Sequence, residues 1–210
     1  MHSGRNDSDS LEIEVKFWVK EINVMRERII FSGAIPKGKT FETNLRFDDN
    51  AHTLIKKRSL LRLRLETNGI NTLTFKSPPP VYDDGFKVFS EHEVTVSDAD
   101  RMMAILNGLG YRAVQRYEKW RETFDLNNTL LCLDEMPFGT FLEIEGRKDD
   151  IQQASHILGL DWKTRITENY LALFDQIRQK MVLRFTDVTF ENFSGIDFTP
   201  EHFWGITGMI

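Results

Sequence analysis

Between Leu11 and Phe17 the chain reads Leu-Glu-Ile-Glu-Val-Lys-Phe, with an ionisable residue at every second position. On a strand, alternate side chains share a face, so Glu12, Glu14 and Lys16 project one way and Leu11, Ile13, Val15 and Phe17 the other. A single strand of this kind is the wet face of any antiparallel sheet. This one constrains the fold because the pattern recurs. Leu61-Arg62-Leu63-Arg64-Leu65, Leu73-Thr74-Phe75-Lys76, Glu91-His92-Glu93-Val94, Lys119-Trp120-Arg121, Leu131-Cys132-Leu133-Asp134 and Leu142-Glu143-Ile144-Glu145 all follow it. An ordinary solvated face mixes both signs with Thr, Ser and Gln. Here each strand after the first offers acid alone or base alone, which reads as a face turned inward onto something highly charged.

The set comprises six cations (Lys16, Arg62, Arg64, Lys76, Lys119, Arg121) and seven carboxylates (Glu12, Glu14, Glu91, Glu93, Asp134, Glu143, Glu145). So many charges cannot be buried together dry, since desolvation costs several kcal/mol per ion. A water-filled tunnel holding a polyanion and divalent metal resolves the conflict. Cations bind phosphoryl oxygens, the arginines bidentately. Carboxylates hold hard cations such as Mg²⁺ or Mn²⁺. Strands with one charged and one apolar face predict an α+β chain. Its closed antiparallel β-barrel is polar within and apolar outside, beneath helices.

Glu12-Ile13-Glu14-Val15-Lys16 resembles the E-x-E-x-K signature of the CYTH superfamily, the triphosphate tunnel metalloenzymes. The likeness continues in order through the charged segments above, and Leu133-Asp134-Glu135 followed by Gly139 to Glu145 is similar to the superfamily's L-D-x…G-x-F-x-E-x-E segment. It spans about Leu11 to Phe174. Two departures stand out. Ser90 occupies a position where many relatives have Arg, with Lys87 nearby. Pro137-Phe138 replaces a Gly-Leu type of turn and is expected to alter only a hairpin.

The resemblance implies a metal-dependent enzyme acting on a triphosphate-containing small molecule. Carried over residue by residue, Glu12, Glu14, Asp134, Glu143 and Glu145 are the metal candidates, with Glu91 and Glu93 as an additional acidic pair. Lys16, Arg62, Arg64, Lys76, Lys119 and Arg121 are the phosphate clamp, and Lys16, Lys76 and Arg121 the catalytic candidates. Hydrolysis of inorganic, thiamine or nucleoside triphosphate is favoured because no adenine pocket is legible. Cyclisation of ATP by a class IV adenylate cyclase and a non-catalytic polyphosphate or nucleotide sensor are the alternatives.

Net charge −5 and the absence of a basic stretch argue against nucleic acid as partner. The lone Cys132 rules out an internal disulfide and reads as a packing residue in a reducing, cytoplasmic compartment. No leader or long apolar run is visible, so neither export nor membrane insertion is expected. Alternation turns His92 away from its acidic neighbours. Residues 1–10 are polar and expected to be disordered, 11–181 form the CYTH-like domain, and 182–210 an aromatic-rich extension. Helices are expected over Glu21–Ser32, Ala51–Lys57, after Ser97-Asp98, over Asp150–Leu158 and over Thr167–Met181, with a strand over Thr40–Phe47. Ser77-Pro78-Pro79-Pro80 must be a loop. The extension reads either as a strap on the barrel or as an arm embracing a second subunit in a homodimer.

Overall fold

The computed structural model describes residues 11–79, 83 and 85–196. Eight strands are present among them: β1 (Leu11–Val19), β2 (Ile35–Asp48), β3 (Leu60–Glu66), β4 (Asn71–Ser77), β5 (Lys87–Thr95), β6 (Arg112–Leu126), β7 (Thr129–Met136) and β8 (Gly139–Glu145). They close into an antiparallel barrel in the order β1-β5-β4-β3-β2-β6-β7-β8, with β8 returning to β1. Closure removes the sheet edges and sends alternate rows of side chains inside and out. The inner rows hold the charges and the outer rows the leucines, as the alternation requires.

Among the described residues five α-helices dress the barrel: α1 (Ile22–Phe31), α2 (Thr53–Lys56), α3 (Ala99–Gly108), α4 (Lys148–Ile157) and α5 (Tyr170–Met181). The apolar core therefore lies outside the barrel wall. Val15, Phe17, Leu131, Leu133, Leu142 and Ile144 pack with Met25 and Ile29 of α1 and Ile151 and Ala154 of α4. Leu63 and Phe47 pack beneath Leu106 and Met102 of α3, a helix opened by Asp98, whose side chain accepts the Arg101 N–H. Strand β2 runs further than the predicted Thr40–Phe47, because its first half pairs with β6 alone as far as Asp125.

α5 crosses one end of the barrel. Asn169 caps it by accepting the Ala172 N–H, and it ends where Val182 turns left-handed at φ 55°. The inward rows of β1 and β8 become aromatic there. Trp18 and Phe141 meet edge to face at 5.2 Å, and Phe141 meets Tyr170 of α5 at 5.1 Å. Phe138, in the two-residue turn joining β7 to β8, is almost completely buried and stacks on Phe174 of α5. The Pro137-Phe138 departure thus does more than reshape a hairpin. It supplies the centre of a second core that fixes α5. Gly139, at φ 147°, follows this turn, and any side chain there would collide with the Trp18 ring.

The described part of the extension packs on the same region. Val188 donates to the Arg116 carbonyl and accepts from the Glu118 N–H at 2.8 and 2.9 Å, while Phe185 and Phe193 pack against Phe174. Residues 1–10, Pro80, and the segment holding Phe198, Thr199-Pro200-Glu201, Phe203 and Trp204 lie outside the described residues. No described helix is long and apolar enough to cross a membrane.

Candidate active site

Strand parity brings the candidate residues into one lumen. β1 contributes Glu12, Glu14 and Lys16; β3 Arg62 and Arg64; β4 Lys76; β5 Glu91 and Glu93; β6 Lys119 and Arg121; β7 Asp134; and β8 Glu143 and Glu145. All except Asp134 line a cavity of about 850 Å³. Asp134 lies deeper in the wall and is fully buried. His92 faces outward, opposite Phe75, and is exposed, as its parity predicted. Cys132 is buried beside the inward acids, and burial pushes its thiol well up, away from the reactive thiolate.

The interior alternates in sign. Lys16 pairs with Glu14 and, at 3.0 Å, with Glu143. Arg121 donates to Asp134 at 2.7 and 2.6 Å and also to Glu143. Lys119 reaches Asp134 at 2.9 Å, and the Tyr170 hydroxyl donates to the same carboxylate at 2.8 Å. Lys76 pairs with Glu12 and, at 3.2 Å, with Glu91. Arg62 donates to Tyr117 Oη, Thr74 Oγ1 and Glu93. The Nε of Arg62 and that of Arg64 are nevertheless buried without a hydrogen-bond partner. Buried donors of this kind cost stability unless a ligand satisfies them.

The acids divide into two sets. Carboxylate oxygens of Glu12, Glu14 and Glu145 lie within 4.8 Å of one another, a spacing and donor chemistry that suit a hard divalent cation. Asp134 and Glu143, expected alongside them, are not part of this group and instead neutralise Lys16, Lys119 and Arg121. The electrostatics cut across this division, because Glu14 and Glu145 of the converging set shift in opposite directions. Burial raises the Glu145 carboxyl, and the neighbouring Glu12 and Glu14 add to this, bringing it to about 8. Burial likewise carries Glu91 to about 7, against the pull of Lys76. For Glu14 burial works upward too, but Lys16 and Lys87 outweigh it and hold the group well below the carboxylate range.

Several lumen residues went unrecognised in the sequence. β2 sends Glu42, Asn44 and Arg46 inward, and β5 adds Lys87, which donates to Glu14 at 2.8 Å. β2, β5 and β3, where Glu66 shares the face of Arg62 and Arg64, therefore carry both signs, contrary to the single-sign expectation. The reason is local neutralisation. Glu42 sits among Arg64, Lys119 and Arg121 at 3.6–3.9 Å, and those cations overcome its burial to bring it to about 2. Phe41-Glu42-Thr43-Asn44-Leu45-Arg46-Phe47 carries the same alternation as the other segments, so the signal was present. Tyr117 and Tyr170 had no such signal, since one lies within a mixed run and the other on a helix.

Comparison with known proteins agrees with this architecture. A candidate adenylate cyclase of Methanocaldococcus jannaschii is 27% identical over 149 residues, covering 70% of this chain and 83% of that protein. The structure of a candidate adenylate cyclase from Vibrio parahaemolyticus superposes with a TM-score of 0.69 at 19% identity, covering 77% of this chain and 95% of the other. A Hippeastrum protein described as a candidate adenylyl cyclase with a dominant triphosphatase activity gives 0.58 at 19% identity, covering 78% and 95%. The last two likenesses establish the fold. The CYTH domain profile matches residues 10–167, three quarters of a chain whose barrel, inward charges and E-x-E-x-K strand all fit it, and the chain belongs to the CYTH family.

Proposed function

We propose that this protein is a divalent-metal-dependent phosphohydrolase that removes the terminal phosphate of a triphosphate-containing substrate bound in the barrel. The observation that supports this most is the pairing of opposites across one cavity. Arg62 and Arg64 present buried, unsatisfied Nε–H donors, and Glu12, Glu14 and Glu145 converge within 4.8 Å of one another. The first feature fits phosphoryl oxygens and the second a bridging hard cation.

Glu12, Glu14 and Glu145 would hold the metal. When bound, Mg²⁺ or Mn²⁺ supplies charge neutralisation at the phosphoryl oxygens. The protein's own residues supply position. Arg62 and Arg64 grip the phosphate chain, while Lys16, Lys76, Lys119 and Arg121 share their charge between substrate oxygens and their resident acids. Asp134, fixed by Tyr170, keeps Lys119 and Arg121 aimed into the lumen. Water attacks the terminal phosphorus, a new P–O bond forms, the bridging P–O bond breaks, and the proton of the attacking water is released. Phosphoryl transfer of this kind depends mainly on alignment and electrostatic stabilisation.

Cyclisation of ATP is the second reading, favoured by the likeness to the Methanocaldococcus jannaschii protein. One assay separates them. Purified protein with Mg²⁺ or Mn²⁺ is given tripolyphosphate, thiamine triphosphate and ATP, and released phosphate and cyclic AMP are both scored. Orthophosphate release without cyclic AMP supports hydrolysis. Cyclic AMP and diphosphate from ATP would replace it with cyclisation, and ligand binding with neither product would leave a sensor.

A further inference from the structure

Tyr170, the first residue of α5, lines the cavity and is buried. The chain is held there from two sides. Four residues earlier, Ile166 pairs with the backbone of Lys16, donating to its carbonyl at 2.7 Å and accepting from its N–H at 2.9 Å. Phe141 of β8 meets the Tyr170 ring at 5.1 Å and an interplanar angle of 64°. So fixed, the ring lies against two lumen lysines at once. Lys16 Nζ stands 5.2 Å from its centroid and Lys119 Nζ 5.3 Å. Both lysines are almost fully buried, where a cation is drawn to a ring face more strongly than in water. They come from β1 and β6, strands separated in the barrel by β7 and β8, so no pairing between their own strands sets their separation.

Resting on the triphosphatase reading above, we propose that Tyr170 is a positioning residue whose ring holds Lys16 and Lys119 together while leaving their N–H groups to the phosphate chain. Carboxylates also hold these ammonium groups, Glu14 and Glu143 at Lys16 and Asp134 at Lys119. Each carboxylate takes an N–H that a phosphoryl oxygen then has to win from it. An aromatic face attracts the charge through its quadrupole, and the three N–H donors of the ammonium stay available to the oxygens around it. The hydroxyl has a separate task. It donates at 2.8 Å to Asp134, the carboxylate that binds Lys119, so the side chain holds that lysine both directly and through its acid. Phenylalanine at this position would keep the first contact and lose the second, and leucine would lose both. The docking of α5 on Phe141 and Phe138 thereby reaches the lumen through one side chain.

A series of variants at this position, made in the full chain and assayed with Mg²⁺, tests the proposal. Tyr170→Leu is expected to lower kcat/KM for tripolyphosphate by about tenfold or more, and Tyr170→Phe to bring it back to within about threefold of the wild type, the scale of a desolvated cation–ring contact. Replacing Tyr170 by phenylalanine with an increasing number of ring fluorines withdraws electron density from the face with little change in shape, and kcat/KM should fall stepwise along that series. A purely structural ring would not follow the fluorine count. Equal activity across the fluorinated variants, or equal activity of Tyr170→Leu and Tyr170→Phe, overturns the proposal. Where Tyr170→Leu does not fold, the fluorinated series decides alone. The rise in melting temperature caused by tripolyphosphate is a second readout, independent of turnover, and should shrink in the same order. If the wild type releases no phosphate, the triphosphatase reading fails, while a thermal shift that falls with fluorination still supports the role of the ring and one that is the same in every variant overturns it.

Discussion

Arg121 grips Asp134 with two nearly parallel hydrogen bonds, from Nε at 2.7 Å and from Nη2 at 2.6 Å. The pair is buried, and Lys119 and Tyr170 complete the shell around the same carboxylate. A cation expected to serve the substrate is thus already neutralised before any ligand arrives. Arg64 stands in contrast. Its nearest acids, Glu42 and Glu66, lie at 3.6 and 3.8 Å, and its Nε is unsatisfied. The cations read from the sequence are therefore not equivalent: Arg121 is closely paired with interior acids, whereas Arg62 and Arg64 keep a buried Nε without a hydrogen-bond partner, the donors that the proposed function assigns to the substrate.

Two substitutions separate these roles. Arg121→Ala leaves Asp134 and Glu143 short of a partner and should cost about 3–5 kcal/mol of stability, the usual penalty for breaking a buried pair. Arg64→Ala should cost about 1 kcal/mol or less, because its ion pairs are long. Only Arg64→Ala should abolish most of the thermal shift caused by tripolyphosphate while leaving the free protein near its original melting temperature, since a ligand stabilises in proportion to its binding to the folded state. Calorimetry with and without ligand measures both. Large destabilisation by Arg64→Ala with an intact shift would remove it from the clamp.

Chelation is expected to abolish turnover, and Glu145→Gln to lower it when metal is present. Glu145 contacts no cation within ion-pair distance among the described residues, whereas Glu14 is tied to Lys16 and Lys87. Its loss should therefore reduce activity by at least about a hundredfold, or 2.7 kcal/mol on the barrier, with little fall in melting temperature. Undiminished hydrolysis in excess EDTA would sink the metal-dependent mechanism.

Glu42 ties stability to pH. Its carboxyl falls from the ordinary 4.5 to about 2 in the folded protein, since the surrounding Lys119, Arg121 and Arg64 outweigh burial. A depressed carboxylate contributes stability that is present above the unfolded value and lost as pH falls through the folded one. The contribution is therefore whole at pH 7, on the order of 3 kcal/mol, and disappears between about pH 4.5 and 2. Glu42→Gln should be less stable than the wild type by that amount at neutral pH, and the gap should close across that window. Urea unfolding at a series of pH values tests it, and a gap that persists at pH 2 would contradict the assignment.

Phe138→Ala should cost about 3–5 kcal/mol, the range for emptying a buried aromatic site. The loss falls where Phe138 meets Phe141, Phe174 and Phe193, so it should also loosen α5 across the end of the barrel. Hydrogen exchange is expected to speed up in α5 before it does in β1. Uniform protection in the variant would show that α5 is held by other contacts.

Alternation alone determined the barrel. A period of two, repeated along the chain with charge on one parity and bulk on the other, has one economical solution, in which the charged rows face a shared wet interior and the bulky rows face helices. The same parity identified most of the lumen, from Glu12 to Glu145, and it placed His92 outside. It could not say which charge meets which. Asp134 was legible as an inward acid, but its engagement by Arg121, Lys119 and Tyr170 depends on strand register and on a helix far away in sequence. Glu42 and Arg46 carried the signal but not its meaning, because their role depends on neighbours contributed by β3 and β6. Phe138 looked like a turn residue until α5 and the strap converged on it. Spacing along a strand is local and survives in one dimension. Ion pairing and end closure are set by which distant segments meet, and only the closed barrel decides that.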